Sequence, residues 1–596
     1  LDLVAFLLGN GESSRLVRAV KERDGLVDRI DAWSYTPLDP GTNAVDFDTD
    51  PPRIAEALAA SIAEVERLRA HPVTDDELEK ARINFLTSEH FERESVSGLA
   101  AKLGSFLVSG GGLETEARYL EAVRTATPAE LQRVARAWWR PEALTVGVLL
   151  PDGERAAVDA AAVRSAVGRG VARAERAAAP PVIRSREPEL VSYALPGGSA
   201  LHVVPRRSVP VVAARAALRG GLLAEKASTS GLTAFLTAMW LRGTESRSAA
   251  DFARAVESRA ADIDAFAGRS SFGLTLEAPS AALEPALDLF SEVLVEPAFE
   301  PDELERERAE TLAAIERRED RLGQRAFQLF AEHHFLEHPY RMPTLGADSV
   351  IRALDRDAVR AHHEWLVRTQ NLVIAVAGDV DPDAVAHGLS ARLAALDGGE
   401  FVPPAPPLED PPREIRRAEL IKNRAQAHLV IGFRGVSVAD EDRFALEVIA
   451  QLLAGQSGRL FLELRDKQGL AYSVTATSVE GLAPGYFAVY IATAPEKLAA
   501  ARAGLLDQLR RLLDEEPGER ELEAARRHLV GNFAIDRQRN AVHAAQTSLH
   551  ALYGLGADAS RADPDRIRAV SAKDALRVAQ RIIDLGAYTE AVVRGS

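Results

Sequence analysis

Along the chain, apolar positions follow two rhythms that change over at recognisable breaks. Between 190 and 218 they form short runs interrupted by Pro196-Gly197-Gly198, which predicts a hairpin over 190–195 and 200–204 and a further strand over 209–218. From 231 the spacing lengthens to that of a helix. Helices are expected at 231–241, 249–258, 280–293 and 302–336, before a strand returns at 372–377. Hairpin strands followed by runs of helices predict an α+β fold. Its repeated two-layer domains would hold mostly antiparallel sheet with helices packed on one side.

The pattern repeats over long intervals. Asp75-Asp76-Glu77-Leu78, Pro301-Asp302-Glu303-Leu304 and Glu519-Arg520-Glu521-Leu522 each place acid in the first turn of a long helix, where it offsets the positive helix end. Leu304 follows Leu78 by 226 residues (304 − 78) and Leu522 follows Leu304 by 218 (522 − 304), which is too long for a solenoid and suits duplicated domains. First and last copies agree at an offset of 444 (460 − 16): Ser14-Arg15-Leu16 answers Gly458-Arg459-Leu460, Gly25-Leu26 answers Gly469-Leu470, and Val134-Ala135 answers Val578-Ala579. In that register Leu1 falls inside a helix of the last copy, near Leu446, with a strand at 427–433 already behind it. The natural polypeptide is therefore expected to continue upstream. An Ala/Arg-rich stretch at 154–182 and a Pro/Gly-rich one at 397–412 read as connectors. They leave a truncated domain at 1–153 and full ones at 183–396 and 413–596.

Composition narrows the chemistry. With 596 residues, 46% apolar and 27% charged, the chain reads as soluble and globular, and no run of 18 apolar residues suggests a membrane span. A net charge of −16 argues against nucleic acid as a partner. The absence of cysteine excludes disulfides, thiolate metal sites and a cysteine nucleophile, so any metal must be held by histidine and carboxylate.

Residues 231–244 read Gly-Leu-Thr-Ala-Phe-Leu-Thr-Ala-Met-Trp-Leu-Arg-Gly-Thr, with Leu232, Phe235, Leu236 and Met239 on one face, and spacing alone makes this a core helix. Preceded by Arg219-Gly220-Gly221, the frame resembles the zinc helix of the insulinase/pitrilysin metallopeptidases, inverzincins that carry His-x-x-Glu-His here. His338-Pro339-Tyr340, Pro343-Thr344-Leu345-Gly346 and the stretch 371–382 resemble later family segments, and the likeness runs through nearly the whole chain. Carried over, the first His falls on Ala234, the Glu on Thr237 and the second His on Ala238; the third ligand, 80 residues on (314 − 234), falls on Ala314. Zinc catalysis needs three protein ligands, an open position and a carboxylate base. The resemblance thus implies a domain that kept the fold without the metal. An amphipathic helix that never bound anything describes the same residues.

His334-Phe335-Leu336-Glu337-His338 spells the zinc motif outright, but Pro339 disfavours helical backbone at His338. The resemblance assigns this stretch to the His-Pro-Tyr segment, so no metal is expected there, and His333 and His334 are expected at the surface or a boundary. An independent zinc site at His334, Glu337 and His338 stands as the alternative. Leu464-Arg465-Asp466-Lys467-Gln468-Gly469-Leu470-Ala471-Tyr472 resembles the family's Arg/Tyr motif. Gly469 suits a left-handed helix end, with Arg465 in the last turn and Tyr472 on the strand. The resemblance implies that Arg465 and Tyr472 bind substrate across a chamber; a surface salt bridge plus a strand tyrosine is the plainer reading. The first copy has Lys21 and Asp28 at these positions. Glycine-bearing loops at 9–14 and 455–458 lack a phosphate-loop pattern and read as conformational.

Together the resemblance implies the C-terminal portion of a zinc metalloendopeptidase that degrades or processes peptides inside two bowl-like halves. Residues 1–153 would be what remains of the second domain of the zinc half, and the two later domains the silent half. Zinc would belong to the complete enzyme, with none bound to this chain, which alone should be inactive. Expected partners are a peptide or unfolded polypeptide and a zinc domain in cis or a zinc subunit in trans. A non-peptidase scaffold or substrate-binding subunit of the same fold is the second reading. Bacterial members lean the address towards the periplasm rather than the cytoplasm.

Overall fold

The computed structural model describes residues 1–11, 14–23, 25–37, 39–70, 72–140, 143–150, 160–173, 190–393, 396, 401–405, 407–422 and 426–595. Part of the 9–14 loop, much of the 154–182 connector and the start of the 397–412 connector lie outside the described residues.

Residues 1–153 are called the first domain, 183–396 the third (counting the domain expected upstream) and 413–596 the last; in the third domain a six-stranded sheet runs in the spatial order Val191–Ala194, Ala200–Pro205, Leu372–Gly378, Val211–Arg219, Ser271–Pro279, Asp262–Ala267. All neighbours are antiparallel except 200–205 beside 372–378. The first hairpin turns through Gly197 and Gly198, at φ 79° and 102°, backbone that glycine adopts without a Cβ clash. Helices Leu232–Trp240, Ala249–Glu257, Leu283–Val295 and Arg356–Leu366 bury Leu236, Trp240, Phe290 and Leu366 against Leu218, Phe272 and Leu274 of the sheet. The last domain repeats the plan with five strands, ordered Arg416–Ile421, Thr589–Arg594, Ala427–Arg434, Tyr486–Thr493, Ser473–Val479. The α+β expectation holds.

The second face of each sheet is covered too, by a helix from the neighbouring domain. The single helix expected over 302–336 is two, Pro301–Asp320 and Leu322–His334, broken at Arg321 (φ −85°, ψ 80°). The break serves two different surfaces. The first half lies on helix 232–240 of its own domain, while the second crosses to the last domain, where Phe330 packs with Val430, Tyr486 and Ala591. In return, helix Asn540–Leu552 of the last domain lies on the third domain's sheet, with Ala544 among Val204, Ala213, Ala375 and Ala377. Small side chains on both surfaces permit that close approach. Asn540 Nδ2 donates to Val211 O at 3.1 Å, and Arg219 caps the other helix end through two bonds to Leu552 O at 3.1 and 2.9 Å. Each sheet therefore has its own helices on one face and a borrowed helix on the other.

The helices and the 29–48 hairpin of the first domain repeat those of the last at the same offset of 444. Arg29–Tyr35 matches Ser473–Val479, Ile54–Ala70 matches Leu498–Asp514, Val96–Val108 matches Asn540–Leu552, and Pro128–Trp138 matches Ala572–Ile582. Individual bonds repeat as well. Arg15 holds Glu77 at 2.5 and 2.9 Å as Arg459 holds Glu521 at 2.9 and 2.5 Å, and Thr49 and Thr493 donate to Leu26 O and Leu470 O, both at 2.5 Å. The sheet is where the copies differ. In the first domain, 29–35 and Thr42–Asp48 make a two-stranded sheet, and 145–150, the counterpart of Thr589–Arg594, joins no ladder. Leu149 is 99% exposed where its counterpart Val593 is 0%. A helix at Ala160–Arg173 packs on 54–70 through Ala166, Leu58 and Ile62. This helix of the connector thus packs on the first domain.

Where the first and last domains touch, the contact is reciprocal. Glu94 accepts from the backbone N–H of Asn540, and Gln538 accepts from the backbone N–H of Val96. Positions 94 and 538, and 96 and 540, are equivalent in the two copies. The contact is isologous about a pseudo-two-fold axis.

Candidate functional site

Helix Leu232–Trp240 starts at Gly231 (φ 93°), where the Glu225 carboxylate accepts from the N–H groups of Gly231 (2.7 Å) and Thr233 (2.8 Å). Burial pushes that carboxyl up to about 7 despite the two bonds. Just beyond the other end, Arg242 donates twice to Glu307 (3.0 and 2.8 Å) and once to Glu310 (2.6 Å), tying the helix to 301–320. Behind it, Thr233 Oγ1 lies 3.0 Å from His362 Nε2, and His363 Nε2 donates to Leu294 O at 3.0 Å. Burial pushes both imidazoles down to about 4, so both are neutral. Sequence reasoning passed over these two histidines. Their one signal is position, since Val359, His362, His363 and Leu366 form the buried stripe of helix 356–366.

Within this frame the expected metal positions carry no donors. Ala234 and Ala238 stand one turn apart on the half-buried face, and Ala314 is half-buried on the helix packed against it. Thr237 is buried, and its hydroxyl donates to Ala234 O at 2.8 Å. Three methyl groups and a spent hydroxyl do not fit zinc. Among the described residues no cluster of three His, Cys, Asp or Glu is placed to hold a metal.

The literal motif is taken apart by the backbone. Helix 322–334 ends at His334, Phe335 is extended, and His338 (φ −63°, ψ 136°) begins a separate turn at Pro339. The two histidines therefore share no helical face, and Glu337 points to solvent. Of the two histidines expected at the surface or a boundary, His333 is exposed, while His334 is fully buried at the boundary between domains, with Nδ1 3.1 Å from Thr589 Oγ1 and its ring stacked on Phe330. His338 Nδ1 accepts from Tyr340 N–H at 3.2 Å. Burial, then the nearby Arg434, pushes His334 down to about 3 and His338 to about 4. A guanidinium beside both rings opposes a cation there.

Arg465 and Tyr472 are both exposed, Tyr472 by 60%. Arg465 lies on a π-helical turn, Phe461–Lys467, and its guanidinium sits 4.8 Å above the Phe461 ring. Gly469 (φ 58°) ends that turn as expected, its N–H bonding Arg465 O at 3.0 Å. Tyr472 precedes strand 473–479 by one residue yet already bonds the neighbouring strand, its N–H to Ala492 O at 2.9 Å. Among the described residues neither side chain makes a hydrogen bond or ion pair, so the surface salt bridge is not formed. Backbone bonds fix the positions while both donors face solvent. In the first copy the same backbone carries Lys21 and Asp28, whose N–H bonds Asp48 O at 2.9 Å.

The chain matches two family models, "Peptidase M16 inactive domain" over residues 1–85 and 353–529 and "Insulinase (Peptidase family M16)" over 204–348. An uncharacterized zinc protease of Streptomyces coelicolor is 30% identical over 283 residues, covering 46% of this chain and 61% of that protein. This chain thus matches less than two thirds of that relative's length. Another uncharacterized zinc protease, from Rickettsia bellii, is 25% identical over 380 residues, 62% of this chain and 89% of that one. The crystal structure of a peptidase M16 inactive domain from Pseudomonas fluorescens shares the fold, with a TM-score of 0.63 at 22% identity, over 68% of this chain and 98% of that one.

Proposed function

Because this chain belongs to the insulinase-type M16 peptidase family, we propose that it supplies the metal-free half of a zinc metalloendopeptidase and grips the peptide substrate through Arg465 and Tyr472. The observation that carries this reading is the pair itself, two donors held on a fixed backbone and, among the described residues, spent on nothing. A guanidinium and a phenol aimed at one carbonyl oxygen orient a peptide and stabilise the negative charge that grows on that oxygen during attack. Zinc in the complete enzyme would supply the activated water, from a domain that keeps the ligands missing at Ala234, Ala238 and Ala314.

The first domain supports the existence of such a partner domain. Helix 96–108 leaves Val96 66% exposed, with Leu107 and Val108 also exposed, while the counterpart helix 540–552 buries Asn540 and Leu552 on the third domain's sheet. Trp33 and Tyr35 are exposed on the hairpin, at positions equivalent to Thr477 and Val479, on the sheet that helix 322–334 covers in the last domain. A domain of the third domain's type would meet both surfaces.

Pure chain should show no chelator-sensitive peptide hydrolysis; finding it would overturn the proposal. Assembled with a zinc domain, Arg465→Ala and Tyr472→Phe should each lower kcat by about 10²-fold, as loss of an oxyanion donor does, with the melting temperature unchanged. Unchanged turnover would favour the second reading, a scaffold subunit, which the loss of three ligands and the base also suits.

A further inference from the structure

The π-helical turn that carries Arg465, Phe461–Lys467, has a counterpart in the first copy, Val17–Arg23, and the backbone around both is held in the same way. Gly469 and Gly25, both at φ 58°, end the turns, with N–H bonds to Arg465 O at 3.0 Å and to Lys21 O at 3.1 Å. The next N–H groups bond Leu464 O at 2.8 Å and Val20 O at 2.9 Å. A cation then pins each glycine carbonyl: Lys497 Nζ donates to Gly469 O at 2.9 Å, and Arg53 Nη1 donates to Gly25 O at 3.2 Å. The fold thus builds this backbone twice, whatever side chains it displays.

The side chains displayed differ as a set. Phe461, Arg465 and Tyr472 stand where the first copy has Val17, Lys21 and Asp28. Val17 is buried in the core of its domain. Phe461 is half-buried, and its ring lies outside the core cluster of the last domain. A small aliphatic side chain therefore satisfies the turn, and the larger ring serves something else. The Arg465 guanidinium carbon sits 4.8 Å from the centre of that ring. Glu463, the acid on the same turn, is engaged by Lys467 at 2.6 Å. Among the described residues no hydrogen bond or ion pair competes with the ring for the Arg465 side chain.

We propose that Phe461 is a positioning residue for Arg465: its ring supports the guanidinium and keeps the donors turned outwards to the substrate carbonyl. This rests on the reading that Arg465 grips the peptide. An exposed arginine samples many rotamers, and ordering it when substrate arrives costs binding energy. The ring face attracts the cation through its quadrupole. It covers one face of a planar group whose N–H bonds point out along the plane, so the contact orders the side chain without consuming a donor. Leucine at 461 would fill the turn but offer no such face. The first copy, which lacks the arginine, also lacks the ring.

Turnover of the chain assembled with a zinc domain, measured around a double-mutant cycle, tests this. Phe461→Leu should fold, since the first copy's turn accepts valine. It should lower kcat about two- to fivefold, the strength of one exposed cation–π contact, with KM unchanged, and Phe461→Tyr and Phe461→Trp should keep the wild-type kcat. With Arg465 already alanine, Phe461→Leu should lower kcat no further, because the ring acts through the guanidinium. Wild-type turnover in Phe461→Leu would overturn the proposal. So would an equal loss with and without Arg465, which would make the ring a direct substrate contact or a plain structural one. A crystal structure of Phe461→Leu separates this inference from the reading beneath it: the Arg465 side chain should lose its defined position, and an ordered, unmoved guanidinium would overturn the positioning role. Unchanged turnover in Arg465→Ala would instead sink the substrate reading, with the crystal structure still deciding whether the ring holds the guanidinium.

Discussion

If helices 232–240 and 301–320 retain the frame of a metal site, replacing the missing donors should restore metal binding. The perturbation is Ala234→His, Ala238→His and Ala314→Glu together, with Thr237 left alone because it is buried at 4% and a carboxylate there would lose its solvation. Residues four apart on a helix have Cβ atoms roughly 5–6 Å apart, which lets two imidazoles reach one ion at about 2.0–2.1 Å. All three alanines are half-buried, so the new side chains have room towards solvent. At a free zinc concentration 100-fold above Kd, binding stabilises by about 2.7 kcal/mol. For a domain of this size, at about 2–4 °C per kcal/mol, melting should rise by roughly 5–11 °C. The assay is zinc content after dialysis, alongside melting with and without chelator, for wild type and triple variant. A triple variant that folds yet retains no more zinc than wild type would refute the reasoning, because the two helices would then not present their positions to a common point.

Arg242→Ala should destabilise the third domain by about 3–5 kcal/mol in urea, since it strands the buried Glu307; a loss below 1 kcal/mol would mean that Glu307 finds solvent. Phe330→Ala, at the borrowed helix, should cost about 3–5 kcal/mol and separate the unfolding of the third and last domains. Glu225 has a folded pKa of about 7 against 4.5 for the free group, so between those values the folded state binds more protons and stability falls as pH rises, levelling above about 7. At 1.36 kcal/mol per unit that contribution is about 3 kcal/mol, and Glu225→Gln should flatten the curve by that amount; parallel curves for variant and wild type would remove Glu225 as the cause. Arg465→Ala should leave stability within about 0.5 kcal/mol, checked by the same denaturation.

What could be read in the sequence was whatever depends on local pattern. The repeat at offset 444, the hairpin at Gly197-Gly198, the left-handed Gly469 and the emptied zinc helix all follow from residues close together in the chain or from one copy answering another. What stayed hidden depends on contact between distant segments. Nothing local marks the break at Arg321, because its cause is a sheet some hundred residues away that captures Phe330. For the same reason the sequence leaves His334 at a surface or a boundary without choosing: what buries it includes Thr589 of the last domain. The alanines of strands 200–219 and 372–378 looked like an unremarkable apolar run, yet their small size is what admits helix 540–552.

The pseudo-two-fold contact explains why some features are duplicated and others are not. Arg15–Glu77 and Arg459–Glu521 recur because each stabilises its own domain, whatever lies next to it. Lys80 and Asn84 do not recur in kind: Lys80 bonds Glu257 at 2.6 Å and Asn84 bonds Glu257 O at 2.8 Å, joining the first domain to the third, while the counterparts are Ala524 and an exposed His528. The axis through 94–96 and 538–540 places that exposed face of helix 519–536 where a domain paired with the first would sit. Features that stabilise one domain are therefore kept in both copies, and features that face a neighbour differ with the neighbour. On the reading proposed here, Arg465 and Tyr472 belong to the second kind. They replace Lys21 and Asp28 on an unchanged backbone, so the fold does not require them, and on the reading proposed here one such pair facing one metal is all that a shared chamber needs.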